Sequence, residues 1–600
     1  MRLKPCMLAE PVLVGREKEL QELKEHLDSA FTGKGTTIFI SGEAGSGKTR
    51  LLTEFLRIAK QRQLNVLTGW CLSDAAIPYF PFEEAFDAYF STSENEDGHA
   101  DSQTMGLKTW LTRINQTETN PLLANMTPKA WRDQTFSMVA KELLFLSEKK
   151  PLILALEDIQ WADSTSLSLL HYLARQVLSE RILIIATFRS EDLNVKTEGH
   201  VNDLSKVILH MGRDDLYSEV KLSNLGKDNI RKIAESMLGG SVKPEFVDKI
   251  ASETIGNPLF VVESLRVLYK QGSLYKKGGK WSLQVGNFET PKKVKDIILQ
   301  RLEALKPHQK TILDVASVIG ENFDPSLIAA VISHDKADVL RELNEIAKST
   351  LLVYCDDNLY KFKHSKFREM LYLEIPSLLR KEYHLRLAQK MEVEDKIDEL
   401  LAAVLAYHFA KGENKTKAIK YSLESGKFSL SRFSNSEAIS KFSYIINTVN
   451  DDQEYVTQKL EALEGLGDAF NNSCMFREAI KTFELLSKIG TGSVKLRALR
   501  KATVAAFHCG DTTLLQELKK KTEPYSSIDR LESARVLLDR GRIFSVQSLG
   551  PEALQDFETA LQIFEEEYSP RDTALALIGL SARHPGLGNH TKELQNVYAR

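Results

Sequence analysis

A three-layer α/β domain built on a parallel sheet, followed by an all-helical half, is the fold class this sequence predicts. Apolar runs of strand length at 36–41, 151–157 and 181–187 each finish in residues suited to holding a ligand. Open parallel sheets present their sites in that way, at the carboxyl ends of the strands. From about residue 395 the strand-like runs give way to alternating amphipathic helices. The three strands are expected to lie parallel and side by side in one sheet.

Six hundred residues are too many for one core, so several domains or an array of small units are expected. The chain is 42% hydrophobic and 27% charged, with a formal charge of −3. That balance gives no general attraction to nucleic acid or to anionic membranes. Five scattered cysteines form no CxxC pair, which supports neither a disulfide framework nor a cysteine zinc site. The opening MRLKPCMLAEPVLVG lacks a hydrophobic signal core, and no stretch approaches the roughly 18 consecutive apolar residues of a membrane span. A cytoplasmic protein without membrane association is expected.

The first strand runs into TTIFISGEAGSGKTRLLTEFLRIA, residues 36–59. Ile38, Phe39 and Ile40 form a buried-type strand, and Leu51, Leu52, Phe55 and Leu56 recur at helical spacing. Between them GEAGSGKT fits the phosphate-loop pattern residue for residue. Its residues Gly42, Glu43, Ala44, Gly45, Ser46, Gly47, Lys48 and Thr49, with Arg50 opening the helix, are the candidate nucleotide-binding set. The glycines let the backbone curl so that several N–H groups converge on phosphate oxygens, and the helix adds its N-terminal donors. Lys48 would reach the β- and γ-phosphates, and the Thr49 hydroxyl would take a Mg²⁺ position. ATP and Mg²⁺ are the expected ligands.

PLILALEDIQWAD, residues 151–163, supplies the second strand and ends in carboxylates. A nucleotide–Mg²⁺ site needs a carboxylate near the phosphate-loop threonine, on a neighbouring strand of the same sheet. Glu157 would be the Mg²⁺-side carboxylate and Asp158 would polarise the attacking water; the reverse assignment is the alternative. Successive side chains on a regular strand face opposite ways, so both can serve one site only where the strand ends or twists. The third strand, in RILIIATFRSED, ends in Thr187, Phe188 and Arg189. Thr187 is a candidate for holding the attacking water or sensing the γ-phosphate, against a role in bonding a loop. Arg189 would contact phosphate or pair with Glu191 or Asp192.

Further pieces follow in order: LVGREKEL at 13–20, CLSDAAIPYFPFEEAF at 71–86, EDIQWAD at 157–163 and GNPLFVVESL at 256–265. Together with the phosphate loop they resemble the ATPase module of the STAND branch of the AAA+ superfamily, over about the first 270 residues. The resemblance implies a P-loop NTPase core at 1–210 and a helical lid at 211–287. It places Val14 or Gly15 on the adenine side, Trp161 and Asp163 in the extended acidic motif, and Pro258 near the nucleotide. The segment from about 288 to 375 is similar to the family's winged-helix region, giving a winged-helix-like domain with connecting helices at 288–392. There VKDIILQRLEAL and HQKTILDVASVIG are helical, and LLVYCDDNLYKFKHSKFREMLY reads as a hairpin running into a helix. Lys361, Lys363, His364, Lys366 and Arg368 form a short basic cluster beside Glu369. Direct DNA binding is one use of such an element; an intramolecular contact closing on the ATPase is the favoured one.

The half at 393–600 is expected to be tetratricopeptide-like repeats. LGDAFNNSCMFREAIKTFELL places Leu466, Gly467, Phe470, Phe476, Ala479, Phe483 and Leu486 at the spacings of a helical pair. Gly541, Phe544, Ala553, Phe557 and Ala560 repeat much of that ladder, and weaker copies use Phe409 with Ala418 and Ala438 with Phe442 and Ile445. Stacked pairs form a curved surface of the kind that binds protein. The expected function is an ATP-binding and hydrolysing regulatory switch with a protein partner on the repeats and nucleotide-dependent self-association. A nucleotide-binding scaffold with little turnover and a winged-helix DNA-binding regulator are the alternatives.

Overall fold

The computed structural model describes residues 11–72, 77–93, 128–194, 203–270, 272–277, 279–283, 302, 305–350, 352–356, 359–392, 399–450, 452–523 and 529–581. Two compact units divide the chain, the second holding the helices from Lys415 onward.

The first unit begins with α1 (Glu17–Phe31), β1 (Thr36–Gly42), α2 (Lys48–Gln61), β2 (Asn65–Trp70) and α3 (Phe80–Ser93), and takes in α4 (Pro128–Lys149) from Val139 onward. It continues through β3 (Leu152–Glu157), α5 (Ser164–Gln176), β4 (Ile182–Arg189), α6 (Asp203–Arg213) and β5 (Tyr217–Lys221). The five strands form one sheet in the order β2-β3-β4-β1-β5, with every pairing parallel. The three strands read from the sequence are β1, β3 and β4, and they lie side by side. β4 separates the other two, so Glu157 stands one strand further from the phosphate loop than the neighbouring position expected for it. Register levels the three tips: Ile40 lies opposite Thr187, and Leu156 opposite Ala186.

Strands buried on both faces read as continuous apolar runs, and β3 and β4 are of that kind, buried along almost their whole length. On one face Ile38, Ile40, Ile153 and Ile185 pack against Leu23 and Leu27 of α1 and Leu51, Leu52 and Phe55 of α2. On the other, Phe39 meets Phe188 and Tyr217 with ring centroids 5.8 and 4.7 Å apart. The two outer strands, NVLTGW and YSEVK, escaped the sequence reading because each keeps exposed or half-exposed positions and lacks an apolar run. β5 also carries the sheet to Lys221, past residue 210 where that reading ended the core.

Next come α7 (Lys227–Leu238), α8 (Pro244–Thr254) and α9 (Pro258–Lys270), then the hairpin β6 (Leu274–Lys277) and β7 (Lys280–Leu283). Their helices share a core of Ile230, Ile233, Phe246, Ile250, Val261 and Leu265, against which Trp281 packs. The helix expected in VKDIILQRLEAL lies outside the described residues except Leu302 and Leu305. Beyond it are α10 (Pro307–Ile319), β8 (Asn322–Phe323), α11 (Pro325–Ile332), α12 (Lys336–Thr350), β9 (Val353–Asp356), β10 (Leu359–Phe362), α13 (Ser365–Glu374) and α14 (Ser377–Met391). The expected hairpin is the antiparallel β9–β10 pair, its turn at 357–358 lying outside the described residues; β8 pairs with β10 on the other side.

Asp314 of α10 is 7% exposed, and its Oδ1 has no hydrogen-bond partner among the described residues. Burial pushes its carboxyl up to about 6, with Lys310 opposing. A carboxyl raised on folding binds its proton more tightly in the native state. Its contribution to stability is therefore greatest below the unfolded value and is lost as pH rises through about 6. Asp314→Asn is accordingly expected to raise the thermal midpoint at pH 8 relative to wild type by more than at pH 5. Midpoints that shift equally at both pH values would reject this.

After α15 (Glu399–Lys411), the second unit's helices are α16 (Lys415–Ser431), α17 (Asn435–Val449), α18 (Val456–Asn472), α19 (Phe476–Ile489), α20 (Gly492–Cys509) and α21 (Thr512–Thr522). They continue as α22 (Arg530–Val546), α23 (Gly550–Glu566) and α24 (Pro570–Ser581). Small residues face rings as the sequence pattern implied: a Cβ on Gly467 would come 2.3 Å from the Phe483 ring. Charged pairs add a periodicity the apolar pattern had not disclosed. Arg497–Glu464 and Lys501–Asp468 are each 33 residues apart, and Arg535–Asp572 37. Gly467→Leu is expected to cost about 1–3 kcal/mol by overpacking, seen as an earlier unfolding transition; an unchanged midpoint would show that the Phe483 ring has room to move. No described helix is long and apolar enough to cross a membrane.

Candidate functional site

The phosphate loop turns at Gly45 and Gly47, whose φ values of 84° and 97° lie in the left-handed region that glycine adopts without strain. The curl leaves Ser46 Oγ buried and, among the described residues, without a hydrogen-bond partner. Lys48, 7% exposed, donates from Nζ to the carbonyl oxygens of Gly42 at 2.7 Å and Glu43 at 3.0 Å. Burial pushes its ammonium down to about 8, against the opposing pull of Asp158 and Glu191. Glu191 reaches the loop directly, accepting from the Ala44 N–H at 2.9 Å.

β3 ends on Glu157, which lines the same cavity as Thr49. Burial, helped by Asp158, pushes Glu157 up to about 7, while Thr49 and Lys361 oppose the rise. Asp158 takes φ 56° and ψ 46° at the start of a short 3₁₀ turn, Ile159–Trp161. That left-handed residue breaks the strand alternation, so both carboxylates line one cavity. The Asp158 N–H donates to Thr187 Oγ1 at 3.0 Å. Of the two readings of Thr187, this geometry displays the loop bond; through it Thr187 holds the turn that carries Asp158. Asp163 caps α5, accepting from the N–H groups of Thr165 and Ser166, each at 2.9 Å.

A cavity of about 490 Å³ joins these groups. Val14, Thr49, Arg50 and Pro258 line it, and so do Glu321, Lys361, Lys363 and His364 from the α10–α13 region. The α7–α9 helices grip the loop: Asn257 Nδ2 donates to the Ala44 carbonyl at 3.1 Å, and the Leu259 N–H to that of Gly45 at 3.2 Å. Gly15 lies against Asn229, with room for no Cβ. Arg50 Nη2 donates to the Pro11 carbonyl at 3.2 Å. Arg189 reaches α13 by hydrogen bonds. Its Nη1 donates to Glu369 Oε1 and its Nη2 to Ser365 Oγ, both at 2.7 Å, and its guanidinium lies 4.7 Å from the Trp161 ring centroid.

Arg16 was missed by the sequence reading. It is 4% exposed and donates from Nη2 to the carbonyls of Ser46 at 3.1 Å and Ser223 at 2.6 Å, holding the loop from behind. Its place beside Val14 and Gly15 in LVGREKEL was the available signal. Glu369, Ser365 and Glu321 had none, being far away in sequence.

The residues present fit a nucleotide and Mg²⁺. Ser46 Oγ is an orphaned hydroxyl inside a glycine-turned cradle, and Thr49 with Glu157 offers the hydroxyl and single carboxylate that Mg²⁺ commonly takes beside substrate phosphates. Among the described residues no group of three or more His, Cys, Asp or Glu side chains is arranged to hold a metal.

Residues 12–185 match the family model described as AAA ATPase domain. Over 196 residues, 30% of the chain, it is 27% identical to an uncharacterised protein of Rhizobium meliloti, covering 18% of that protein. Over 179 residues, 29% of the chain, it is 25% identical to the hybrid signal transduction histidine kinase G of Dictyostelium discoideum, covering 5% of it. The chain thus spans less than a fifth of the length of these curated relatives. A crystal structure of a signal transduction ATPase with numerous domains, with a tetratricopeptide repeat sensor, from Pyrococcus horikoshii aligns at 15% identity over 99% of this chain and 79% of that one, with a TM-score of 0.46. The family match agrees with the motif-based resemblance over the α/β core.

Proposed function

We propose that the protein is an ATP-binding and ATP-hydrolysing regulatory switch, acting in the cytoplasm, whose helical array presents a surface to a protein partner. One observation carries the reading: Lys48 and Thr49 of the phosphate loop and Glu157 and Asp158 of the β3 tip line one cavity. The loop N–H groups and Lys48 bind and orient the phosphates, with Val14, Gly15 and Pro258 on the base side. Glu157 and Thr49 would hold Mg²⁺, which would neutralise phosphate charge when bound. Asp158, held by Thr187, accepts the proton of the attacking water.

The winged-helix-like region is read as an intramolecular closure. Arg189 grips Ser365 and Glu369 of α13, and Lys361 and His364 line the nucleotide cavity. A basic cluster occupied in this way is poorly placed to meet DNA. ATP would change this closure, and with it what the helical array engages or whether chains associate. The experiment is ATP turnover by the purified protein, with oligomeric state measured in ATP, in ADP and without nucleotide. Mg²⁺-dependent turnover and a nucleotide-dependent state are expected. ATP binding with neither would leave a scaffold in place of a switch.

A further inference from the structure

The backbone ladder joining β3 to β4 ends at Leu156 and Ala186. Beyond it the two tips are tied by side chains. Thr187 Oγ1 accepts from the Asp158 N–H, and the carboxamide of Gln160 makes the second tie. Gln160 Nε2 donates to Asp158 Oδ1 at 2.9 Å, while its Oε1 accepts from the Arg189 N–H at 3.2 Å. The main-chain N–H of Arg189 can only donate and an ionised Asp158 can only accept, so the amide has one orientation that satisfies both. Asp158 meanwhile occupies a left-handed backbone conformation, one residue past the strand, where no neighbouring ladder bond fixes its direction.

We infer that Gln160 is a positioning residue for the reaction: it engages Oδ1 of Asp158 and ties that carboxylate to β4, leaving Oδ2 as the oxygen that takes the proton of water. Among the described residues Oδ2 has no other hydrogen bond. The inference rests on the reading of Asp158 as the group that activates water. It adds that the aim of this carboxylate is set by Gln160 and not by Asp158 alone. A Gln that merely satisfied the Arg189 N–H would matter to the turn and not to turnover.

Gln160→Leu removes both bonds at similar volume, whereas Gln160→Glu keeps an acceptor for Arg189 and loses the donor to Asp158. Steady-state ATP hydrolysis and ATP-binding titrations are measured on the full chain for both variants, for Asp158→Asn, and for Asp158→Asn combined with Gln160→Leu. Both Gln160 variants are expected to keep the nucleotide Kd within about twofold while kcat falls by about 10- to 100-fold, the scale of a misdirected catalytic group. In the Asp158→Asn background, Gln160→Leu should cost less than about twofold further, because no base is left to aim. If Gln160→Leu also weakens nucleotide binding through the fold, Gln160→Glu carries the test. Wild-type kcat in Gln160→Glu, or a full multiplicative loss in the double variant, overturns the inference alone. A wild-type protein without turnover, or an Asp158→Asn variant as active as wild type, overturns the Asp158 reading and the inference with it. Those arms contain no change at Gln160, so the two failures are told apart.

Discussion

Replacing Asp158 by Asn is expected to leave ATP binding intact and to slow hydrolysis by about 10²- to 10⁴-fold, the range typical of losing a general base. The amide keeps the side-chain size and the hydrogen bond that its backbone N–H gives to Thr187, so the turn at φ 56° should survive. What disappears is the acceptor strength needed for a proton from water. Glu157→Gln should fail differently. Glu157 is the β3 carboxylate that shares the cavity with Thr49, and its amide would raise the Mg²⁺ concentration needed for half-maximal rate by weakening a hard oxygen ligand. Rate measurements across a Mg²⁺ series, paired with nucleotide titrations, separate the two. Reversed phenotypes would exchange the assignments. Full activity in both variants would make these carboxylates bystanders.

Lys48→Ala is expected to weaken ATP binding by about 10- to 150-fold, the loss of a hydrogen bond to a charged group worth roughly 1.5–3 kcal/mol. The Lys48 ammonium is held by the carbonyls of Gly42 and Glu43, so the loop keeps its backbone curl only if those oxygens find water in the variant. Arg16, which bonds the Ser46 carbonyl from behind, should maintain it. Calorimetric titration checks the affinity. Unchanged affinity together with unchanged turnover would reject the role given to Lys48.

The parts of this site that lie on regular elements were legible in the sequence. The loop glycines, Lys48, Thr49 and the β3 carboxylates announce themselves because phosphate cradles and strand ends constrain residue type locally. The order of the strands was less accessible: β4 separates β1 from β3, and nothing in an apolar run records its neighbour. Strands β2 and β5 were lost because half-exposed edges carry no continuous hydrophobic signal. The site's remote walls were illegible for another reason. Arg189 could be paired only with carboxylates near it in sequence, yet its partner is Glu369, 180 residues away. Likewise Gln160 reads as one polar residue in IQWAD until the left-handed turn at Asp158 brings it under the carboxylate. In the helical half the glycine–phenylalanine pairs were visible, whereas the charged pairs between alternate helices, such as Lys501 with Asp468, emerged only when the helices were stacked.

The measurement that tests the central claim most directly is phosphate release from ATP by the purified full chain, followed across a Mg²⁺ series that includes none. The expected result is turnover that requires Mg²⁺, saturates with ATP and is lost in Asp158→Asn while that variant still binds ATP. Tight ATP binding with no phosphate release above background at saturating ATP and Mg²⁺ would contradict it.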